Sequence, residues 1–451
     1  MNDSSASIEV KEQVPVAGRW DVVVCGGGPA GIGAAIAAGR LGARTLLVEA
    51  QQHLGGLATN LGTMCDTPGG SIYDELMGRL MDLGSAWYRD NRERYYPPGR
   101  TSYRPQMFKA VAAEMVDEAG VEVRFATIAE GARVEDSTLR GVFLANKAGR
   151  TLARGKVIID CTADADVAAQ AGAAFVVGAP DDGRIQHCNF HSRIGGVDAE
   201  RFRAEGPDDA EFERICREAV AAGEVTPPDA LFGIDPEAFP WSEEHNRIVM
   251  RWELQHVDPT DPRQTSEVLM QCHRAALDIV RMLRRRVPGY EDCVIGLIDT
   301  VLGTRESRRI EGLYTVTGED VLAGSKFEDG AVPAWFWLDL HDPAPGLSTP
   351  YSLEFVQKNR PKPGDWYEIP YRCQVPREID GLLVAGRCIS CDHPAQGSLR
   401  VIPTCVYLGE VAGTAAAWAI EEGVLPREVD GARLKRVLNE EYWEPPTYDD
   451  E

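Results

Sequence analysis

The chain of 451 residues has no run of about twenty apolar residues, the length a membrane-crossing helix needs, so no such helix is expected. Residues 1–17 are polar and charged without an apolar centre; they read as a mobile tail and not as a secretory signal. Basic residues are scarce beside acidic ones: 47 Lys and Arg stand against 70 Asp and Glu, a formal net charge of −23. Such a surface repels nucleic-acid phosphates and anionic membrane, so neither is expected as a partner, and solubility is the plain reading of the acidity. The 11 cysteines are scattered, without the dense framework of a small secreted domain, and are expected to be reduced thiols in a cytoplasmic protein. No four-cysteine iron–sulfur spacing occurs. His187 and His191 have too few companions for a metal site, so no metal is expected. Internal repeats are absent, and so is a second copy of the glycine pattern described next.

What is present begins at Asp21-Val-Val-Val-Cys-Gly-Gly-Gly-Pro-Ala-Gly31. Three valines make a short buried strand. Gly26, Gly28 and Gly31 then fill the spacing G-x-G-x-x-G where a small, apolar helix starts. A second strand, Thr45 to Glu49, ends on an acid. Gly26 allows the tight turn, Gly28 lets a pyrophosphate approach the backbone, and Gly31 lets helix and strand pack closely. The helix N-terminus offers N–H groups and a partial positive charge to phosphates. Glu49 can accept hydrogen bonds from ribose hydroxyls. The bare pattern is weak evidence, but strand, helix, second strand and acid in this order predict a dinucleotide site. The pattern alone does not separate FAD from NAD.

Further along, residues 51–104 read as an insertion with one amphipathic helix, Ser71 to Leu83, capped by Ser71, and a surface excursion from Trp87 to Tyr103. A second helix, Pro105 to Ala119, ends at Gly120 and leads into a parallel strand, Val121 to Phe125. Gly131–Glu135, Leu139–Asn146 and Arg150–Lys156 suggest an antiparallel meander, after which Lys156–Asp160 returns to the parallel sheet. From about Pro180 the composition changes to Pro- and Asp-rich loops around one long helix, Gln264 to Arg286. Gly381–Gly386 reads as a strand that stops at glycine, and Ile402 to Glu422 as an apolar helix interrupted by Glu410.

At this point the chain resembles the FAD-dependent oxidoreductases of the two-dinucleotide-binding-domain group, most closely the family that includes the flavin part of heterodisulfide reductase. The resemblance covers residues 20–423 and rests on ordered segments: Asp21 to Ala50 with His53-Leu-Gly-Gly-Leu-Ala-Thr59, Val157 to Asp166, Leu302 to Ile310 with Tyr314 and Asp320, Leu338 to Pro343, Ile369 to Arg372, and Leu383 to Ser390 running on to Gly397-Ser-Leu-Arg400. With the change of composition that runs from about Pro180 to about Pro370, the resemblance implies an α/β fold: a Rossmann-like FAD-binding domain with parallel sheet and β-meander over 19–180 and 369–425, and an inserted α+β substrate domain over 181–368. It implies extended FAD, with Gly26, Gly28, Pro29, Ala30 and Gly31 at the pyrophosphate and Glu49 at the adenosine ribose. Gly55, Gly56, Leu57, Ala58 and Thr59 would pass near the phosphates or flavin, and Ile128 near the adenine. Thr162, Ala163 and Asp164 would lie beneath the adenosine half. Gly386 and Arg387 would reach the pyrophosphate and ribityl chain. Gly397, Ser398 and Leu399 would precede a helix whose N-terminus faces the flavin pyrimidine ring. Relatives often carry glycine where Ala163 stands, so the turn there is expected to differ slightly. With one nucleotide pattern only, the flavin is expected to be reduced by an organic substrate and reoxidised by oxygen, a quinone or a protein carrier. A homo-oligomer is compatible with the sequence.

Flavin oxidation of an alcohol or amine C–H needs a base, and histidine titrates in the right range. Strand alternation over Trp335 to His341 would put Trp335, Trp337, Asp339 and His341 on one face, an acid and a base between aromatic walls; a histidine merely bonded within a sheet is the alternative. His393 follows the 383–387 strand closely and is a second candidate. In Gln186 to Arg193, alternation puts His187, Asn189, His191 and Arg193 on one face, either roofing the flavin or facing solvent. Arg305 and Arg309 would share a strand face and, with Arg308, could bind a substrate carboxylate or form an internal ion-pair network. Cys388 and Cys391 form a C-x-x-C that could be a redox dithiol, giving a thiol–disulfide oxidoreductase as the second reading; a non-enzymatic flavin-binding subunit or redox sensor is the third. Cys65, Cys161 and Cys405 read as packing residues. The leading expectation is dehydrogenation of a small organic molecule, such as a cyclic or sugar-like alcohol, using His341, Asp339, His393 and Arg305.

Overall fold

A computed structural model describes residues 11–60, 62–65, 67–89, 100–227, 230–235, 248–342 and 353–442. Residues 1–10 of the expected 1–17 tail, the tip of the 87–103 excursion at 90–99, and Pro343 lie outside the described residues; the tail expectation ran too far, since Val16 and Ala17 already belong to the first strand.

The chain opens with β1 (Val16–Cys25), α1 (Pro29–Arg40) and β2 (Thr45–Val48). Proline at the start of α1 suits a position whose N–H has no helical partner. The insertion that follows holds β3 (Thr63–Cys65), α2 (Gly70–Asp82), β4 (Ala86–Arg89) and β5 (Arg100–Tyr103), the strands pairing antiparallel in the order β3-β5-β4. Ser71 is not the cap of α2; it lies in the first turn, where its hydroxyl donates to the buried Glu410 carboxylate, which also accepts the Ile72 N–H at 3.3 Å. Glu410, the charge that interrupts the apolar C-terminal helix, thus serves the N-terminus of another helix.

Next come α3 (Pro105–Glu118), β6 (Glu122–Arg124), β7 (Ile128–Glu135), β8 (Thr138–Asn146) and β9 (Gly149–Asp160). The main sheet runs β6-β2-β1-β9-β8-β7, with β18 (Leu382–Val384) also on β9. Strands β6, β2, β1, β9 and β18 are parallel, and β7 to β9 form an antiparallel meander. The sequence suggested two strands around Lys156; the structure has one continuous strand whose first half closes the meander and whose second half enters the parallel sheet.

Alternation splits the sheet's side chains between two cores. Val22, Val24, Leu47, Ile159 and Leu383 face helices α1 and α11 (Ile402–Glu422), whereas Val23, Cys25, Leu46, Ile158 and Val384 face the meander side with Leu139 and Val142. Both faces being covered explains the unbroken apolar runs of these strands. Helices α1 and α11 approach closely because glycines line their contact: a Cβ at Gly409 would stand 1.9 Å from the Ala30 carbonyl oxygen, and one at Gly413 2.3 Å from that of Ala34.

After α4 (Asp166–Gln170) and β10 (Phe175–Val177), the inserted unit contains β11 (Cys188–Gly195), α5 (Ala199–Glu205), α6 (Asp209–Ala221), β12 (Ala230–Asp235), β13 (Ile248–Leu254), α7 (Pro262–Arg286) and β14 (Val294–Ile298). Its antiparallel sheet, ordered β12-β13-β11-β14, packs with α7 around Phe190, Trp252, Cys272, Ile279 and Leu283. This core takes its buried members from 188–293 only. The chain then returns through β15 (Arg308–Ile310), which pairs with β10, α8 (Gly318–Ala323), β16 (Val332–Ala334), α9 (Leu353–Lys358) and β17 (Tyr367–Ile369). Val316, Val321, Val332, Leu338 and Tyr367 pack in the first core, so the separately packed insert is shorter than the 181–368 block read from composition. The helix α10 (His393–Leu399) completes the elements that frame the site, before α12 (Gly431–Lys435) near the end.

Candidate functional site

The C-terminal ends of the parallel strands are level: Cys25 pairs with Val48 and with Asp160, and Asp160 pairs with Val384. The turns leaving them therefore converge along one sheet edge, the usual ligand position in open α/β sheets. Gly26 has φ 101°, and a Cβ there would lie 2.3 Å from the Cys161 carbonyl oxygen. A Cβ at Gly31 would lie 1.7 Å from the Gly26 oxygen. At Gly28 a Cβ meets nothing within 4 Å, so of the three motif glycines this one faces open space. That closed–open–closed pattern is a cradle a diphosphate fits. Pro29 and Ala30 open α1, and Gly386 sits against Ala30: a Cβ at Gly386 would lie 3.2 Å from the Ala30 Cβ. Residues 26–31 and 386 thus meet, as the family resemblance requires.

Glu49, at the end of β2, is buried, and its carboxylate accepts the Gly27 N–H and the Gln51 N–H, both at 2.6 Å. The Gly55 N–H donates to the Gly27 carbonyl at 2.8 Å, laying the 55–59 turn along the glycine loop, and a Cβ at Gly56 would stand 3.1 Å from the Gly28 Cα. Gly56 to Thr59 form a short 3-10 turn in which Ala58 is buried and its carbonyl accepts the Tyr103 hydroxyl at 2.5 Å. Ile128 is 56 % exposed, beside Thr127, whose N–H bonds the Glu49 carbonyl. Thr162 closes on Asp160, which accepts its N–H at 3.0 Å and its hydroxyl at 2.6 Å. Burial raises the Asp160 pKa from its ordinary value, against the hydrogen bonds from Thr162 and Ala168. Ala163 holds φ 71°. The alanine thus stands in the left-handed region, which favours glycine. Asp164 accepts Arg387 at 2.6 Å, and the Arg387 Nε is buried without a hydrogen-bond partner among the described residues. An orphaned guanidinium N–H at this edge suits an anionic ligand. The residues present fit an extended dinucleotide.

Gly397, Ser398 and Leu399 precede α11 and form the last turn of α10. Ser398 is committed internally, donating to the Phe336 carbonyl and meeting the Tyr367 hydroxyl at 2.6 Å, and Leu399 is fully buried. Only their backbone can face a ligand. Helix α11 starts without a side-chain cap.

The alternation expected over 335–341 fails. Strand β16 stops at Ala334, and Asp339 and Leu340 bond back to the carbonyls of Trp337 and Leu338 in consecutive tight turns. Trp337 packs with Phe336 and Val356 in a small core and does not stand opposite Trp335 as a pocket wall by strand geometry. Asp339 and His341 nevertheless meet, His341 Nε2 lying 3.0 Å from Asp339 Oδ1. Arg400 donates to the Asp339 carbonyl at 2.7 Å and to its carboxylate at 3.2 Å. Burial and the nearby Arg305 push His341 down to about 4 against the pull of Asp339, so the ring is neutral at pH 7. Burial works against ionised Asp339, but His341, Arg400 and Arg305 hold it below the usual carboxylate range.

His393 has both ring nitrogens on carboxylates, Nδ1 at 2.9 Å from Glu306 and Nε2 at 2.8 Å from Asp342. On β11 the alternation is right: Cys188, Phe190 and Ile194 enter the insert's core, while His191 and Arg193 turn the other way. That polar face is buried, not solvated. His191 Nδ1 meets Asp299 at 2.8 Å, Arg193 donates to the Asn60 carbonyl at 3.1 Å, and the rings of His187 and His341 stand edge to face at 5.2 Å.

The arginines form an internal network. Arg305 donates to the His187 carbonyl at 2.8 Å, Arg308 to Asp166 at 2.8 Å, and Arg309 to Glu306 and to the Gly178 carbonyl. The expected shared face of Arg305 and Arg309 does not form, because β15 begins only at Arg308. Cys388 and Cys391 are unbonded thiols in different cores, and burial raises Cys391 to about 12 and Cys388 well above the thiol range. Asp299, Glu306, Asp342 and Gln186 were missed from sequence; the acids are isolated in loops with no periodic signal. Among the described residues no group of three His, Cys, Asp or Glu is set to hold a metal, and no helix is long and apolar enough to cross a membrane.

A family model described as FAD dependent oxidoreductase matches residues 21–438. A soluble pyridine nucleotide transhydrogenase of Marinomonas sp. (strain MWYL1) is 51 % identical over 46 residues, which is 10 % of this chain and 10 % of that protein. Among solved structures, a geranylgeranyl bacteriochlorophyll reductase-like protein from Thermoplasma acidophilum is similar at 15 % identity and TM-score 0.45, covering 94 % of this chain and 84 % of its own. The p-nitrophenol 4-monooxygenase PnpA from Pseudomonas putida DLL-E4 is similar at 13 % identity and TM-score 0.45, with 92 % and 83 % covered.

Proposed function

The chain belongs to the FAD dependent oxidoreductase family, and from that premise we propose that this FAD-dependent enzyme dehydrogenates a small cyclic or sugar-like alcohol with His341 as base. The observation that carries the reading is a neutral histidine, partly buried beside α10 and oriented by a carboxylate 3.0 Å away. With Nε2–H donating to Asp339, Nδ1 keeps the lone pair and takes the hydroxyl proton. Asp339 fixes that tautomer and stabilises the ring once it is charged. Bound FAD supplies the hydride acceptor.

In this reading Gly26, Gly28, Pro29, Ala30 and Gly31 hold the diphosphate, and Arg387 with Gly386 meets it from the opposite side. Glu49 takes the ribose, the 55–59 turn follows the chain of the cofactor, Ile128 and Thr162 to Asp164 flank the adenosine half, and the backbone of 397–399 leads to the ring. Arg305 contributes by keeping His341 neutral and not by binding a carboxylate. His393 serves as a fixed cation. The electron acceptor is oxygen, a quinone or a protein carrier. The dithiol reading is disfavoured by burial of both thiols and their raised pKa values.

Anaerobic flavin bleaching across alcohols, amines, glycosides and thiols identifies the substrate class. With an active alcohol, His341→Gln is expected to slow flavin reduction at least ~100-fold. An unchanged reductive rate removes His341 from the role.

A further inference from the structure

Helix α10 grips the segment carrying the proposed base at three points. His393 in its first turn bonds Asp342, the backbone of Asp339 abuts Gly397, and Arg400 just beyond its end holds the Asp339 carbonyl and carboxylate. A Cβ at Gly397 would stand 3.0 Å from the Asp339 backbone, so the grip is tight. We propose that His393 is a positioning residue that fixes the Asp339–His341 pair by bridging Asp342, next in sequence to His341, to Glu306.

The ring contacts require a doubly protonated His393. Nδ1 and Nε2 each face a carboxylate oxygen, at 2.9 and 2.8 Å, and only a ring protonated on both nitrogens donates to both. The His393 side chain is 3 % exposed and that of Glu306 0 % exposed, so loss of the proton would leave a buried carboxylate facing a lone pair. Glu306 also accepts the Gln186 N–H, and the Gln186 side chain accepts the His341 N–H at 3.3 Å and donates to Gln396 on α10 at 3.2 Å. The bridge and the base are thereby tied into one unit.

The charged groups around His393 are Asp342, which also takes Arg184 at 3.0 Å; Glu306, which also pairs with Arg309; and the adjoining Asp392, whose carboxylate caps α10 through the Ala395 N–H. Burial pulls the His393 pKa down, but its bonds to Asp342 and Glu306 outweigh that and raise it to about 9. A histidine whose folded pKa lies above its free value contributes stability below about 6.5 and loses that contribution as pH rises through about 9.

The inference rests on reading His341 as the base, yet it is tested by a titration and not by turnover. In the FAD-loaded full chain with labelled histidines, the ring resonances of His341 are followed by NMR. In wild type they are expected to move with a midpoint near the His393 value, about 9. In His393→Gln that movement is expected to vanish, and His341 is expected to gain protons at least ~10-fold more readily than in wild type, as solvent reaches the loosened segment. Asp342→Asn is expected to act in the same direction, and the wild-type titration decides the matter even if His393→Gln does not fold. A wild-type His341 that ignores the alkaline step overturns the proposal, whatever the substitution does. Intact coupling together with unimpaired flavin reduction in His341→Gln would instead sink the base and leave the coupling standing.

Discussion

Ala163 carries φ 71° at the turn after β9, where a left-handed backbone costs an L-residue about 1–2 kcal/mol. Glycine would remove that strain but add about 0.5–1 kcal/mol of unfolded-chain entropy. Ala163→Gly is therefore expected to stabilise the protein by about 0.5–1 kcal/mol in denaturant unfolding. His341 sets a second expectation at this scale. Its pKa near 4 means that a pH profile of flavin reduction should stay flat from neutrality downward and fall only as pH drops through about 4, where the base takes up its proton. A fall centred near 6.5, the ordinary histidine value, would mean that the buried, Arg305-facing environment does not persist in solution. Individual residues were legible from sequence where backbone geometry dictates type, as at Gly26 and Gly31. They were not legible where a partner comes from far along the chain: Asp339 meets Arg400 across 61 positions, and Glu306 meets His393 across 87.

Helices α1 and α11 show what periodicity can reveal. The 402–422 helix was readable from its apolar length, and Gly423 ends it in the left-handed region at φ 70°. Its partner was not readable, because Gly409 and Gly413, four apart on one face, permit a close approach without saying which helix makes it. Gly409→Ala would place a Cβ 1.9 Å from the Ala30 oxygen, and thermal or denaturant unfolding is expected to show a loss of about 1–3 kcal/mol or more. An unchanged stability would mean that the two helices sit further apart. The 335–341 segment shows the opposite case. Strand geometry assumed over 335–341 put Trp335, Trp337, Asp339 and His341 on one face, but nothing local in the sequence announces the tight turns at Asp339 and Leu340 that break it. On β11 the pattern held because both faces of that strand are packed, one against apolar residues and one against Asp299 and Asn60.

In the whole molecule, the parallel strands end level and deliver the glycine loop, Glu49, the 161–166 turn and Arg387 to one edge. The first strand–helix–strand unit and the nucleotide edge were legible because each part obeys a local rule. The insert was not: its core spans residues 188–293, while composition drew the boundary at 368, since Pro- and Asp-rich loops mark the surface of both units alike. Cofactor binding depends on a diphosphate lying against the amides of the glycine loop, and Gly28 isolates that contact. Its backbone is extended, φ −73° and ψ −172°, and a Cβ there meets nothing within 4 Å, so alanine should leave the apoprotein's stability unchanged. Titrating FAD into apo Gly28→Ala is therefore the decisive measurement. Affinity is expected to fall at least ~10-fold, about 1.4 kcal/mol, with the unfolding curve of the apoprotein unaltered. Wild-type affinity in that variant would contradict the placement of the cofactor.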